Sequence, residues 1–472
     1  MRGPRTRGGD LVRILCISPI FPPMVNAEAL VSAKMVSALT VRGHDVTVLY
    51  EPGALGKDAP KHDTSPLWDF VRSCAVAVDA PGGVNPLATL WYGLKYRSYR
   101  IYPRWIRRTV RVARRLHRQK HFDVVYSRSL PMRAHIVGYW CARRLDVPWV
   151  LNVNDPWDLH VFPTPMLGEA RSRLKRVVSD YWLRKALREA DVVTFPCRRL
   201  GEYHLRRAGV TREFEVIPHV GMTLPARAAG GTGERPGEFR LVHAGLLGLF
   251  PGLATGRSSS GLLKGLAAFL QRRPEARPTT TLALIGPDYP EGVRQVQAMA
   301  LSDVVRSTGR LNYDESLRRI AEATVCVLVE EQMSEGIYLP SKLADYVTAG
   351  KHVLALSPET GTLADLTPET GLTRVGPADD EAVADAIETL YDDHVSGRLN
   401  ARGPSAGLVA LFSPSRVAER FATAVESMRT RKYIFDVWGV PGPGNRDERA
   451  VAPRPGPDGI GRGKPSPENL HR

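Results

Sequence analysis

The sequence predicts an α/β protein with two Rossmann-like, doubly wound domains that face each other across a cleft. Three observations support this fold class. Short β-rich segments alternate with helical segments in both halves of the chain, and a Gly-, Ala- and Pro-rich stretch without apolar periodicity separates the halves. The chain has 472 residues, 43% of them hydrophobic, which is enough for two domains with well-buried cores.

The N-terminal half opens with a β-loop-α-β unit. Residues 11–18 form a β-rich run, residues 27–39 are predicted to be helical, and residues 46–50 form a second strand. Because loops and helix N-termini meet at the carboxyl edge of a parallel sheet, a ligand site is expected at that edge. The alternation continues with strands at 123–126, 148–153 and 192–195 and helices at 134–144 and 171–190.

The C-terminal half repeats the alternation. Strands are predicted at 240–244, 281–285, 325–329 and 352–356, and helices at 262–270, 290–301, 313–323 and 342–349. The chain is therefore divided into a first domain at 11–221, a linker at 222–237 and a second domain at 238–413. A helix at 414–437 follows and can cross back to the first domain. The N-terminus at 1–10 and the tail at 438–472, which is rich in Pro, Gly and charged residues, are predicted to be disordered.

Composition excludes several classes of protein. The five cysteines form no C-x-x-C pair and have no nearby histidine spacing, so neither a zinc site nor a disulfide framework is expected. No apolar run approaches the roughly 20 residues that cross a bilayer. Prolines at positions 19, 22 and 23 interrupt any signal-peptide core. These features predict a cytoplasmic protein.

The formal charge of +16 is concentrated in one segment, because residues 80–122 contain no acid and residues 95–120 carry eleven Lys and Arg. A helix opening at Pro103 would present one apolar stripe and arginines elsewhere; the stripe consists of Ile106, Val110, Ala113 and Leu116 or His117. Such a helix can lie on an anionic membrane, hold a phosphorylated acceptor, or simply expose a solvated basic face. Without a stacking or groove-reading motif, nucleic acid is not expected.

The most specific pattern lies at residues 335–356, where a Gly/Pro loop precedes a short helix, a glycine stop and an apolar strand. Free backbone N–H groups of Ser341 and Lys342 at the helix start can hold a diphosphate, aided by the Lys342 charge. Asp345, about one turn later, is placed to accept hydrogen bonds from ribose hydroxyls, and Glu335 before the loop is placed to fix a sugar ring.

This segment resembles the donor-binding motif of the retaining glycosyltransferases of family 4, in which two acids flank a Gly/Pro loop. The resemblance extends over most of residues 11–430 and includes Ser18-Pro-Ile-Phe-Pro-Pro23 after the first strand. It implies the GT-B fold, a nucleotide-sugar donor on the C-terminal domain, and an acceptor on the N-terminal domain. It also implies retention of the anomeric configuration, with no metal ion and no cofactor beyond the donor substrate. Glu335 and Asp345 match the two acids of the motif.

Other candidate residues follow from the same family order. Asp155 ends a strand before Pro-Trp, where propensity gives no reason for an acid, and His135 stands near a helix start; both are predicted on the acceptor side as catalytic candidates. Gly245, in a turn after the first strand of the second domain, is predicted to contact the diphosphate. The resemblance also implies an Arg/Lys pair that neutralises this diphosphate, for which Arg257 and Lys264 are the candidates.

Two further interpretations stay open at this stage. The scaffold also suits a sugar-nucleotide epimerase, which would need acids and a histidine in the cleft but no acceptor. A non-catalytic basic scaffold protein at the membrane would keep the fold without turnover. Under the transferase hypothesis, the acceptor is a lipid-linked or polysaccharide chain of cell-envelope or polysaccharide biosynthesis, and a specialised-metabolite acceptor is also possible.

Overall fold

The computed structural model of the chain describes residues 11–24, 26–52, 54, 65–79, 102–157, 169–223, 237–249, 256–287, 290–367 and 371–438. The predicted disordered N-terminus at 1–10 lies outside this part of the chain. So do the interior of the predicted linker, the predicted tail apart from its first residue, and the start of the basic segment at 95–101.

The N-terminal domain is built on a parallel sheet. Its strands are β1 (Arg13–Ile17), β2 (Asp45–Tyr50), β3 (Ala75–Ala77), β4 (Val124–Arg128), β5 (Trp149–Asn152), β6 (Val192–Phe195) and β7 (Glu215–Val216). They are ordered β3-β2-β1-β4-β5-β6-β7. The helices around it are α1 (Ala27–Val41), α2 (Asp69–Ser73), α3 (Tyr102–Lys120), α4 (Arg133–Leu145), α5 (Glu169–Glu189) and α6 (Arg198–Ala208).

The C-terminal domain has a second parallel sheet. Its strands are β8 (Phe239–Ala244), β11 (Thr280–Ile285), β12 (Val305–Gly309), β13 (Val325–Val329), β14 (His352–Leu356) and β15 (Leu372–Val375), with β9 (Gly248–Leu249) and β10 (Gly256–Arg257) forming a separate antiparallel pair. The sheet order is β12-β11-β8-β13-β14-β15. Its helices are α7 (Ser260–Arg272), α8 (Pro290–Ala298), α9 (Tyr313–Ala321), α10 (Ser341–Thr348), α11 (Thr362–Leu366), α12 (Asp380–Val395), α13 (Ala406–Phe412) and α14 (Pro414–Trp438).

These two sheets confirm the predicted pair of doubly wound domains. The central strands are buried along most of their length, as expected of parallel sheets whose two faces are covered by helices. Ile14 of β1, for example, pairs with Val46 of β2 on one side and Val124 of β4 on the other, and all three side chains are buried. Both sheets therefore direct their carboxyl ends, where ligands bind in open α/β sheets, to one edge each.

Helix α1 is buried around almost its whole circumference, including the polar residues Glu28 and Lys34. It begins after Asn26, whose side chain accepts a hydrogen bond from the Glu28 backbone N–H and so caps the helix. A surface helix would expose one polar face, so burial on all sides indicates contact with more than its own sheet. The Lys34 ammonium supplies that contact, because it reaches Asp345 of helix α10 in the C-terminal domain.

The two domains touch directly at several further points. The Cys197 thiol donates to the Ile337 carbonyl over 3.3 Å, and His219 Nε2 lies 3.1 Å from the Leu339 carbonyl oxygen. Helix α14 contacts the N-terminal domain, since the Phe421 ring packs on Tyr126 with centroids 4.7 Å apart. The segments around Cys197 and around His219 thus both lie against the Gly/Pro loop that precedes α10.

Helix α3 carries the basic segment, and its predicted apolar stripe is confirmed. Ile106, Val110 and Ala113 are buried, as is Trp105, whose indole N–H donates to the Val78 carbonyl. The opposite face exposes a row of arginines: Arg107, Arg108, Arg111, Arg114, Arg115 and Arg118. In the described part of the chain, no helix is long and apolar enough to cross a membrane.

Candidate functional site

The candidate site lies where the carboxyl edges of the two sheets approach each other. On the C-terminal domain, Gly245 follows β8, and Glu330 and Glu331 follow β13. Lys342 lies in the first turn of α10 and Arg257 ends the short strand β10. These residues come from four separate segments, and the fold alone brings them together.

Gly245 and Lys342 fit against each other. Gly245 has a φ of +124°, and a Cβ built on it would lie 2.5 Å from the Lys342 amine. The Gly245 backbone N–H donates to the Ile285 carbonyl over 2.7 Å, which ties the turn to strand β11. The backbone conformation favours glycine, and the flexible end of the Lys342 side chain occupies the space beside it, so the turn predicted at Gly245 has a structural reason.

Lys342 lies beside a second cation. Burial and then the nearby Arg257 guanidinium lower the pKa of Lys342 well below its usual value. The amine donates weakly to His243 Nε2 over 3.5 Å, and burial likewise lowers the pKa of His243, so that its imidazole is neutral. Two crowded cations at a helix start, where the first backbone N–H groups have no intrahelical partner, form an anion-binding arrangement. This region also includes Ser341, the first residue of α10.

Glu330 and Glu331 are buried acids that the sequence analysis did not identify. Glu331 is 2% exposed, and its Oε1 lies 3.4 Å from Arg257 Nη2. Burial and then the Glu331 carboxylate raise the pKa of Glu330 to about 8. Gly336 packs over Glu330, since a Cβ there would lie 3.2 Å from Glu330 Oε2. Among the described residues, Glu330 Oε1 and Glu331 Oε2 have no hydrogen-bond partner.

Asp345 joins the two domains. Its carboxylate accepts hydrogen bonds from Lys34 Nζ at 2.9 and 3.0 Å, from Tyr313 Oη at 2.9 Å and from the Met222 backbone N–H at 3.0 Å. Lys34 and Asp345 are both buried. The carboxylate is therefore occupied by protein donors, and its predicted contact with a ribose stays a prediction that would require one of these donors to be displaced.

Glu335 lies on the rim of the cleft. Its carboxylate forms an ion pair with Arg199 of α6 at 2.5 Å, and its side chain is 38% exposed. Arg199 also holds Asp365 of α11 through two hydrogen bonds. Glu331, rather than Glu335, is the acid that the structure brings to Arg257, so a role for Glu335 in holding the sugar stays untested.

His135 is fully buried within the N-terminal domain. Its ring stacks on Trp157 with centroids 4.9 Å apart, and Nδ1 lies 2.9 Å from Ser127 Oγ. Burial, followed by the charges of His204 and Arg128, lowers the pKa of His135 to about 3, so its ring is neutral at physiological pH. The predicted role of His135 on the acceptor side stays a prediction.

Asp155 lies beyond the end of β5, on the N-terminal side of the cleft. The neighbouring Asn154 side-chain amide donates to Glu28 Oε2 of α1 at 3.4 Å, and burial and then the Asp155 carboxylate raise the pKa of Glu28 well above its usual value. The Asp155 backbone carbonyl lies 3.3 Å from His204 Nε2. Burial raises the pKa of Glu331 in the C-terminal domain, the Arg257 guanidinium opposes this rise, and the Asp155 carboxylate adds to it. The predicted role of Asp155 on the acceptor side stays a prediction.

A pocket of about 190 Å³ adjoins Gly245 at the carboxyl ends of β8, β11 and β12. Its lining includes Leu247, Gly286 and Val293. A larger cavity, of about 410 Å³, lies near Arg240 and His352 at the amino ends of the strands, away from the acids and cations of the site. Ligands of open α/β sheets bind at the carboxyl edge, so the smaller pocket is the functional candidate.

Comparisons with known proteins agree with this architecture. Residues 29–219 match the family model described as glycosyl transferase 4-like domain. The solved structure of HepE from Anabaena, in complex with UDP and glucose, superposes with a TM-score of 0.58 at 15% identity, covering 88% of this chain and 100% of that one. Sucrose-phosphate synthase of Thermosynechococcus elongatus gives a TM-score of 0.54 at 16% identity, covering 91% and 100% of the two chains.

A Listeria monocytogenes protein assigned as a UDP-N-acetylglucosamine 2-epimerase is also similar in fold, with a TM-score of 0.55 at 12% identity and coverage of 89% of this chain and 98% of that one. No curated protein matches the sequence significantly.

The fold and the facing carboxyl edges of the two sheets define a GT-B protein. The match to the glycosyl transferase 4-like model covers most of the N-terminal domain.

Proposed function

We propose that the protein transfers a sugar from a nucleotide-sugar donor, held on the C-terminal domain, to an acceptor held on the N-terminal domain. The observation that carries this proposal is the Lys342 amine, which lies at the start of α10 against Gly245 and whose pKa is lowered by burial and by the nearby Arg257 guanidinium. An anion between them would relieve their repulsion. The diphosphate of a nucleotide sugar is an anion of suitable charge.

The same residues suit the chemistry of transfer. Negative charge grows on the diphosphate as it leaves, and fixed donors aimed at that charge lower the barrier. The backbone N–H groups of Ser341 and Lys342, the Lys342 amine and the Arg257 guanidinium can share this task. We propose that no metal ion takes part, because these cations supply the neutralisation, and that the nucleotide sugar is a substrate with no separate cofactor.

The pocket beside Gly245 supports the same placement of the nucleotide. Its volume of about 190 Å³ and partly apolar lining suit a flat nucleobase whose diphosphate then extends toward Lys342. The structurally similar HepE was solved with UDP and glucose, which is consistent with a nucleotide-sugar donor here. Retention of the anomeric configuration is the stereochemistry that we propose from the resemblance to family 4.

Proton NMR time courses with UDP-, GDP-, ADP- and dTDP-sugars test this function. One donor should lose its sugar to water or to an added glycoside, release its nucleoside diphosphate, and give a product of unchanged anomeric configuration. Accumulation of an epimerised nucleotide sugar would favour the epimerase alternative. No change in any donor, even with acceptors present, would favour a non-catalytic scaffold.

We further propose that the exposed face of α3 rests on an anionic membrane surface at the cytoplasmic side, near a lipid-linked or polysaccharide acceptor. The row of exposed arginines opposite a buried stripe supports this placement. Each basic residue near such a surface contributes about 1 kcal/mol. Replacing Arg108, Arg111 and Arg115 with serine should therefore weaken binding to phosphatidylserine-containing vesicles by on the order of 100-fold in sedimentation assays.

The matched control replaces three exposed arginines of the C-terminal domain, Arg294, Arg306 and Arg319, with serine. This variant carries the same change in net charge and should retain vesicle binding. Equal losses in both variants would show that only net charge matters and that α3 has no special role. Binding to vesicles of neutral lipid should be absent throughout.

A further inference from the structure

The N-terminal sheet changes its winding direction between the neighbouring strands β1 and β4, since β2 and β3 follow on one side and β5, β6 and β7 on the other. The crevice beyond the carboxyl ends of two such strands is where open α/β sheets bind ligands. Ser18 directly follows β1, and Arg128 is the last residue of β4. Both residues therefore lie at the ligand-binding position of this sheet.

A network of hydroxyl groups fixes the Arg128 guanidinium. Its Nε donates to Ser32 Oγ of α1 at 3.2 Å, and Ser32 Oγ lies 2.9 Å from Ser18 Oγ. Its Nη1 donates to the Tyr126 hydroxyl. The buried Tyr126 ring is held in turn by Phe421 of α14, on which it packs. The guanidinium is thus positioned from two sides by uncharged groups.

The third nitrogen of this guanidinium is open. Within the described ranges of the chain, Arg128 Nη2 donates to no residue, and it is not one of the fully enclosed atoms without a partner, so it keeps contact with solvent. The rest of the side chain is enclosed, since only 4% of Arg128 is exposed. The residue therefore offers one nitrogen to the crevice from an otherwise buried position.

Arg128 differs from the other buried cations of its domain in having no ion-pair partner among the described residues. Lys34 pairs with Asp345 at 2.9 Å, and Arg133 pairs with Glu51 at 2.7 Å. A guanidinium does not lose its proton in proteins, so burial cannot neutralise it. A buried charge without a counter-charge is costly, and an anionic ligand would remove that cost.

The groups around the guanidinium do not supply the missing charge. Burial raises the pKa of Tyr126 to about 12, so its hydroxyl is neutral. Glu28 lies one helical turn before Ser32, and its Oε2 accepts a hydrogen bond from the Leu130 backbone N–H at 2.8 Å. Burial raises the pKa of Glu28 well above its usual value, which favours the uncharged carboxyl group.

We propose that Arg128 binds an oxyanion of the acceptor, a phosphate or a carboxylate, in the crevice beyond β1 and β4. Guanidinium groups suit such ligands, because their N–H groups lie in one plane and form charge-assisted hydrogen bonds with oxyanions. This inference rests on the proposed function and specifies its acceptor as an anionic compound rather than a neutral sugar chain.

The test uses the full chain with its donor site filled by the nucleoside diphosphate that it binds. Glucose phosphate, glucuronate and the neutral methyl glucoside are titrated into this complex by calorimetry. At least one of the two anions should bind, and the neutral glucoside should bind at least about tenfold more weakly. The anion with the higher affinity identifies the oxyanion as a phosphate or a carboxylate.

Variants of Arg128 test the contact itself. Arg128→Met should lower the affinity for that anion at least about tenfold, with the affinity for the diphosphate within about twofold of the wild type. Arg128→Lys keeps the charge without the planar fork, so it should lose less. The matched control is Arg143→Met, a change of the same charge in a half-exposed ion pair with Glu189, and it should bind the anion normally.

Three results would overturn the proposal: equal affinity for the neutral glucoside and the anions, binding of neither anion, or unchanged anion affinity in Arg128→Met. A loss of diphosphate affinity in Arg128→Met would also overturn it, because Arg128 would then serve the donor. Diphosphate binding is measured in the same samples, so failure of the anion results with intact diphosphate binding leaves the proposed function standing.

Discussion

Replacing Lys342 with methionine is expected to lower kcat/KM for the nucleotide-sugar donor by about 100- to 1000-fold, the usual effect of removing one fixed charge-stabilising donor. Methionine keeps most of the volume and flexibility of the side chain, so packing against Gly245 is largely retained. The variant loses the one ammonium that lies beside both the Gly245 turn and Arg257. Steady-state kinetics with the donor identified by NMR measure this change.

The matched control is Lys264→Met. Lys264, the lysine that the sequence offers for the diphosphate, lies instead on helix α7, where it is half-exposed in an ion pair with Asp380. Its replacement should leave kcat/KM within about twofold of the wild type, because exposed ion pairs contribute little. Similar losses in both variants would mean that long-range charge, rather than a diphosphate contact at α10, governs the reaction.

Asp345→Asn is expected to lower the free energy of unfolding by about 3–5 kcal/mol, because it leaves the buried Lys34 ammonium without its counter-charge. Lys34→Met should cost less, since Tyr313 and the Met222 backbone N–H still donate to the Asp345 carboxylate. The double variant Lys34→Met/Asp345→Asn should recover part of the loss, because no uncompensated charge is then buried. Urea unfolding followed by circular dichroism measures the free energy of unfolding of the wild type, the two single variants and the double variant, which together form a double-mutant cycle.

The comparison is the surface ion pair Arg207–Asp180, in which Arg207 Nη2 lies 3.0 Å from Asp180 Oδ1. The same double-mutant cycle on this pair should give a coupling free energy of about 1 kcal/mol or less, as is usual for exposed ion pairs. If the losses of Lys34→Met and Asp345→Asn simply add in the double variant, the two residues are not coupled and the proposed interdomain contact does not stabilise the fold.

The fold was predictable from sequence where elements are long and fully apolar. Strands β13 and β14 are continuous runs bounded by turn residues, and both were located. The edge strands β3 and β15 were missed, because three or four half-buried residues give little periodicity. Helix α12 was missed although Asp379 caps it and Val383, Ile387 and Leu390 form a buried stripe at helical spacing, so this signal was available.

The candidate site was only partly predictable. Gly245 follows β8 and Lys342 lies in the helix after β13, so the alternation of elements places both at the carboxyl edge of the second sheet. Arg257 belongs to the separate β9–β10 pair, whose position the alternation does not predict. Glu330 and Glu331 were missed, although two acids directly after a buried strand carry the same signal that identified Asp155. Lys34 gave no signal, since its contact with Asp345 joins residues 311 positions apart and depends on the packing of two domains.

The most direct test of a nucleotide-sugar site on the C-terminal domain is calorimetric titration of UDP, GDP, ADP and dTDP into the wild type and Lys342→Met. The expected result is micromolar binding of one diphosphate by the wild type and at least about tenfold weaker binding by the variant. No binding of any of the four, or equal binding by the two proteins, would contradict a diphosphate site at Lys342.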